Sequence, residues 1–144
     1  MVTIERLTQA NAAALEDMLG LIAQLRRNPA EHRGSLFDVR DIATHERSVC
    51  VVAKDGPRIV GMATLYVLVK VGKRVGYIED VVVDERHRGQ GLGKKLMEAL
   101  IAAARKEKLH SLFLTSNPAR AAANELYHAL GFEIVDTNPY KLDL

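Results

Sequence analysis

The sequence predicts an α/β (α+β) fold: a mixed, mostly antiparallel central sheet flanked by helices, in the order β-α-(α)-β-β-β-α-β-α-β-β. Three observations predict it. Between residues 48 and 83, three β-rich runs follow one another with only turn signals between them, the pattern of an antiparallel meander. After Val83 the apolar residues recur every fourth position, which marks an amphipathic helix. Strand and helix patterns then interleave, so helices must cover a sheet. The chain of 144 residues, 48% apolar and 26% charged, can bury a core of its own, and residues 1–144 are read as one domain.

Val2 to Arg6 alternates apolar and polar residues and predicts a short strand. Thr8 is the expected N-cap of a helix with Leu15, Met18, Leu19, Ile22 and Leu25 on one face. That helix is expected to end near Asn28-Pro29, because a proline disfavours helix in the residue before it. A second short helix is expected at residues 36–44. Ser48 to Lys54, Ile59 to Val69 and Val75 to Val83 are the meander strands, joined by Asp55-Gly56-Pro57 and Val71-Gly72-Lys73. Leu92, Leu96, Leu100 and Ala104, with Met97 and Ile101 beside them, line the next helix. Ser111 to Thr115 predicts a short buried strand. Pro118 suits the first turn of a last helix, with Ala119, Ala122, Ala123, Leu126 and Leu130 on its face and Gly131 at its end. Residues 132–135 and 140–144 predict two closing strands.

Composition excludes several functions. Lys and Arg total 20 against 18 Asp and Glu, a net charge of +2, which argues against a nucleic-acid coat or a polybasic membrane binder. Tryptophan is absent, so a stacking platform for single strands is not expected. Cys50 is alone, so no internal disulfide forms; it reads as a buried structural thiol. No two of the five histidines stand four apart on one helix, so no metal site is expected. The first residues lack a secretory pattern and no apolar run approaches membrane length, so the expected location is the cytoplasm.

The most informative stretch is Asp84-Glu85-Arg86-His87-Arg88-Gly89-Gln90-Gly91-Leu92-Gly93-Lys94-Lys95, which joins a strand to a helix. Alternating glycines let backbone approach a ligand closely, and free N–H groups at a helix start attract an anion. Arg86, Arg88, Lys94 and Lys95 add positive charge. This is the chemistry of a phosphate or pyrophosphate site. A Walker loop would need glycine where Arg88 stands and a hydroxyl where Lys95 stands. A dinucleotide loop would need glycine where Lys94 stands.

Arg88-Gly89-Gln90-Gly91-Leu92-Gly93 fits Arg-x-x-Gly-x-Gly and resembles the acyl-coenzyme A loop of the GNAT acetyltransferase superfamily. Asn124-Glu125-Leu126-Tyr127-His128-Ala129-Leu130-Gly131-Phe132 resembles its second signature, and Gly76 to Val83 resembles its cofactor-lining strand. Ile78-Glu79-Asp80 followed by Gly89 to Gly93 is similar to the small glucosamine-phosphate N-acetyltransferase type. The resemblance covers residues 75–132. One departure is Arg120, where many members carry Asn seven residues before the tyrosine; Asn117 and Asn124 stand nearby as substitutes.

The resemblance implies transfer of acetyl from acetyl-coenzyme A to a primary amine, without a metal, and a homodimer. It implies that Val81, Val82 and Val83 offer backbone groups to the pantetheine arm, and that Arg88, Gly89, Gln90, Gly91, Leu92, Gly93 and Lys94 hold the pyrophosphate. Tyr127 is the candidate general acid and a cofactor contact. Glu79 and Asp80 are both candidates for the base. On an alternating strand they point to opposite faces, with Glu79 beside Tyr77, Val81 and Val83. Glu79 is favoured. The alternative is a non-catalytic acyl-coenzyme A-binding module, which needs the loop but neither acid nor base. The acceptor is not legible; residues 26–47 are expected to line its side.

Overall fold

The computed structural model describes residues 1–26 and 34–144. The expected helix end at Asn28-Pro29 lies outside the described residues, as does His32. The chain divides into two compact units, Met1–Leu114 and Thr115–Leu144.

The first unit holds β1 (Val2–Arg6), α1 (Ala12–Leu25), α2 (Leu36–Thr44), β2 (Ser48–Asp55), β3 (Arg58–Lys70), β4 (Lys73–Val83), a 3₁₀ turn (Glu85–His87), α3 (Leu92–Lys106) and β5 (Leu112–Phe113). The sheet order is β1-β2-β3-β4-β5. β2, β3 and β4 pair antiparallel, as the meander predicts; β1 pairs antiparallel with β2, and β5 runs parallel to β4. Asn11, not Thr8, caps α1: its carboxamide accepts the Ala14 N–H at 2.8 Å. Asparagine is the stronger cap, and the helix-favouring Ala12-Ala13-Ala14 run follows it directly. Ser35 opens α2, its N–H donating to Asp38 Oδ2 at 2.7 Å.

The two faces of the sheet bury different helices. Met18 and Leu21 of α1 and Val39 and Ala43 of α2 pack with Cys50, Val52, Met62 and Val82. The intervening residues face α3, where Leu96 Cδ1 lies 3.2 Å from the position a Cβ on Gly61 would take. Leu96, Met97 and Leu100 are fully buried there. Asp17 ties α1 to the sheet. Its carboxylate accepts Arg58 Nε at 2.7 Å and the Ile59 N–H at 2.9 Å.

The second unit contains α4 (Ala121–Ala129). Pro118 stands in a turn ahead of it rather than in its first turn, because Asn117 turns the chain first, its Oδ1 accepting the Ala119 N–H at 2.9 Å. On the predicted face Ala123, Leu126 and Leu130 are half-buried, but Ala119 and Ala122 are exposed. The two closing strands do not form; among the described residues no strand follows α4. Alternation supplies a strand's side-chain period, but a strand exists only against a partner's hydrogen-bond ladder. Within Thr115–Leu144 there is no strand to supply one, and Ile134, Tyr140 and Leu142 are exposed.

Candidate active site

The glycine loop leaves β4 through the 3₁₀ turn and enters α3 at Leu92. Gly89 and Gly91 have φ of 78° and 74°, a left-handed backbone that side chains resist. Nothing lies within 4 Å of where a side chain on either would stand, so the loop faces open space. The first-turn N–H groups of α3 have no helical acceptor and point toward that end. The residues therefore fit a pyrophosphate. Arg88, Gly89, Gln90, Gly91 and Lys94 are exposed, whereas the Leu92 side chain is buried in the core and leaves only its backbone to a ligand. Arg88 Nε donates to the Val83 carbonyl at 3.1 Å, while Lys94 lies 3.9 Å from Glu98.

β4 is interrupted in two ways. Its partner β5 reaches only Gly76 and Tyr77, so residues 78–83 have no strand partner on that edge among the described residues. The Asp84 N–H bonds Val60 O on β3, which by strand alternation turns the backbone of Val83 toward that edge. Against β3 the register jumps from Thr64↔Glu79 to Met62↔Val82, leaving Asp80 and Val81 together opposite one residue. This is a β-bulge, with Asp80 in the left-handed region at φ 54°.

The bulge corrects the expected facing. Thr64 and Met62 share one face of β3, so Glu79 lies on the side of Val82, not of Val83. Nor do the two carboxylates separate cleanly onto opposite faces. Partial burial and the charge of Asp80 raise the Glu79 carboxyl above its ordinary value. Burial raises Asp80 as well, and Arg26 at the end of α1 opposes it. Both act on Tyr66, whose phenol is raised by burial, then by Asp80, Cys50 and Glu79. Tyr66 pairs with Tyr77 across the ladder, one pleat from Thr64↔Glu79. Sequence reasoning missed it, because it sits within an apolar run; the signal was its even spacing from Met62 and Thr64 on β3. Cys50 is fully buried, as expected, and burial raises its thiol.

In the second unit, Tyr127 is the buried residue of α4. Its ring meets Phe132 edge-on at 6.1 Å between centroids. Burial raises its phenol and Arg120 opposes that. Asn124 Nδ2 donates to the carbonyls of Asn117 and Arg120, both at 2.9 Å. The two asparagines thus brace the turn into α4. His128 is exposed. Among the described residues no group of three His, Cys, Asp or Glu is placed to hold a metal, and no helix is long and apolar enough to cross a membrane.

Comparison with known proteins adds a family. The sequence profile described as "Acetyltransferase (GNAT) family" matches residues 15–132. A glucosamine 6-phosphate N-acetyltransferase of Trypanosoma brucei brucei is 34% identical over 123 residues, covering 82% of each chain. A crystal structure of a Trypanosoma brucei acetyltransferase superposes with a TM-score of 0.80 at 31% identity, covering 100% of both chains. A metagenomic aminoglycoside acetyltransferase, at 23% identity and a TM-score of 0.82, shares the fold; it covers 99% of this chain and 97% of its own.

Proposed function

The chain belongs to the acetyltransferase (GNAT) family, and from that premise we propose how its residues carry the family's reaction. The protein is an acetyl-coenzyme A-dependent N-acetyltransferase. A neutral primary amine attacks the thioester carbonyl carbon and forms the C–N bond. The nitrogen gives up a proton, the C–S bond breaks, and the departing sulfur takes a proton. Amide and free coenzyme A result.

The observation that carries the assignment of roles is β4, without a strand partner on one edge after Tyr77 among the described residues and leading through the 3₁₀ turn into the glycine loop. The edge away from β3 suits the amides of the pantetheine arm, which would pair with Val81 and Val83 as a strand does, while Val82 between them turns its backbone to β3. The loop from Arg88 to Lys94 holds the pyrophosphate. A backbone N–H of the bulged segment polarises the thioester carbonyl as an oxyanion donor. Glu79 accepts the amine's proton through water; its raised carboxyl is a better base than an ordinary one. Asp80, also raised by burial with the charge of Arg26 opposing, is the second candidate. Tyr127 protonates the sulfur, and Asn117 and Asn124 contact the cofactor. Residues 1–144 act as one domain, a reading supported by a family match that spans both compact units. The acceptor is a small primary amine. An amino sugar phosphate is the first to try, because a relative named for that substrate aligns along most of both chains. The reading includes a homodimer, supported by the exposed apolar residues after α4 and checked by sedimentation velocity.

The test is release of free thiol from acetyl-coenzyme A in the presence of a panel of amines that includes glucosamine 6-phosphate. Turnover with at least one amine is expected. Tight coenzyme A binding with no turnover on any amine would favour a binding module instead.

A further inference from the structure

The 3₁₀ turn ahead of the glycine loop is held by elements that take no part in the loop. Gln24, near the C-terminal end of α1, grips it twice. Its Oε1 accepts the Glu85 N–H at 3.0 Å, and its Nε2 donates to Asp84 Oδ1 at 3.4 Å. Asp84 is tied to β3 by the Val60 carbonyl at 2.9 Å and also accepts the Arg86 N–H at 3.2 Å. His87 supplies the remaining link. Its Nε2 lies 3.3 Å from Asp55 Oδ2 at the β2–β3 turn, and its Nδ1 lies 3.7 Å from Asp84 Oδ2. The imidazole is 22% exposed, although the turn carrying it is a surface turn. Its Nδ1 is buried and makes no hydrogen bond, facing the Asp84 carboxylate.

The charges around it make this placement consequential. Asp55 and Asp84 carry negative charge next to a loop whose chemistry is to attract anions, and an unpaired carboxylate there would repel one. Partial burial pushes the Asp84 carboxyl up, yet the Arg86 N–H, the Gln24 amide and the charges of Arg86 and His87 hold it below its usual range. His87 faces both carboxylates, with Arg86 3.9 Å from Asp84 on the outer side.

We propose that His87 is a positioning residue for the cofactor loop. By bridging Asp55 at the β2–β3 turn to Asp84 at the end of β4, it fixes where Arg88–Gly93 begins. It thereby aims the loop's N–H groups and withdraws two carboxylates from the anion's path. The role rests on assignment of the loop to the pyrophosphate, which Gly91→Asp tests separately. If Gly91→Asp binds coenzyme A as the wild type does, the loop assignment fails, whatever His87 does.

The experiment measures the Kd of coenzyme A by calorimetry and steady-state kinetics for His87→Ala, His87→Gln, Asp55→Asn and the double variant His87→Ala/Asp55→Asn. Each single loss is expected to weaken coenzyme A by about fivefold to tenfold, with the double variant no weaker than the worse single. The kcat at saturating acetyl-coenzyme A and the KM of the amine stay within about twofold, since neither residue acts on the reacting atoms. His87→Gln keeps an N–H for Asp55 and recovers most of the affinity. Wild-type affinity in His87→Ala and Asp55→Asn, a loss confined to kcat, or fully additive losses in the double variant would each overturn the role. Should His87→Ala fail to fold by circular dichroism, Asp55→Asn, with its half-exposed side chain, carries the same readout.

Discussion

A phenol held above its ordinary value by burial stays protonated at neutral pH, which suits Tyr127 to the proposed role of donor rather than base. Tyr127→Phe removes one oxygen and keeps the ring against Phe132. It is expected to lower kcat by about 10²-fold or more while the KM for acetyl-coenzyme A stays within a few-fold. Steady-state kinetics check this, and an unchanged kcat removes Tyr127 as the acid. Asp80 makes a stability prediction. Its folded carboxyl is raised, so the folded state holds the proton more tightly than the unfolded one. Stability from that proton is complete below the unfolded value and is lost as pH rises through the raised one. Asp80→Asn tolerates the left-handed backbone and carries no charge. Its Tm is expected to exceed the wild type's at pH 8, and the gap to close below about pH 4. At this scale Tyr127, Glu79 and Asp80 were legible as candidates from motif and strand pattern. Their facing was not, because a bulge at Asp80 arises from pairing with β3 and leaves no mark on the alternation of β4 itself.

At the scale of the element, Gly76 decides how β5 meets β4. A Cβ there would stand 2.6 Å from Leu112 Cδ2 and from Leu65 Cδ1, and 3.0 Å from Leu109 Cδ1. Gly76→Ala is expected to cost about 1–3 kcal/mol by overpacking, read as a lowered midpoint in urea. Because β5 is joined to β4 by only two residue pairs, amide exchange at Leu112 and Phe113 should rise in this variant before the rest of the sheet is affected. The meander strands, α2 and α3 were legible because period, length and turn chemistry agreed there. Where two signals competed the outcome was local: Asn11 displaced Thr8 as the cap, and the Asn117 turn displaced Pro118 from the helix. The expected strands at 132–135 and 140–144 rested on alternation alone, which names a face but no partner.

Over the whole molecule, a net charge of +2 concealed four cations gathered at one helix start. A ligand that binds there stabilises the fold by mass action. Coenzyme A at about a hundred times its Kd should contribute about 2.7 kcal/mol and raise Tm by roughly 5–10 °C, measured by calorimetry. Gly91→Asp should abolish that shift; it should also lower the unliganded Tm by a few degrees, because a φ of 74° strains any side chain there even though the surroundings are open. The fold class was legible, the two closing strands excepted, because the interleaving of helices with a meander calls for a helix-covered sheet, whereas the acceptor side was not, its residues being charged without pattern. The unpaired stretch of β4 carries a further consequence. Sheet margins left bare invite a second chain to dock along them, the first step toward aggregates. Most proteins blunt such margins with lysine or proline, but Val81-Val82-Val83 carries neither. On this account the substrate doubles as a removable strand, and the enzyme is most prone to stick to itself when starved of it. Light scattering of concentrated samples should therefore rise on stripping coenzyme A and fall again when it is restored.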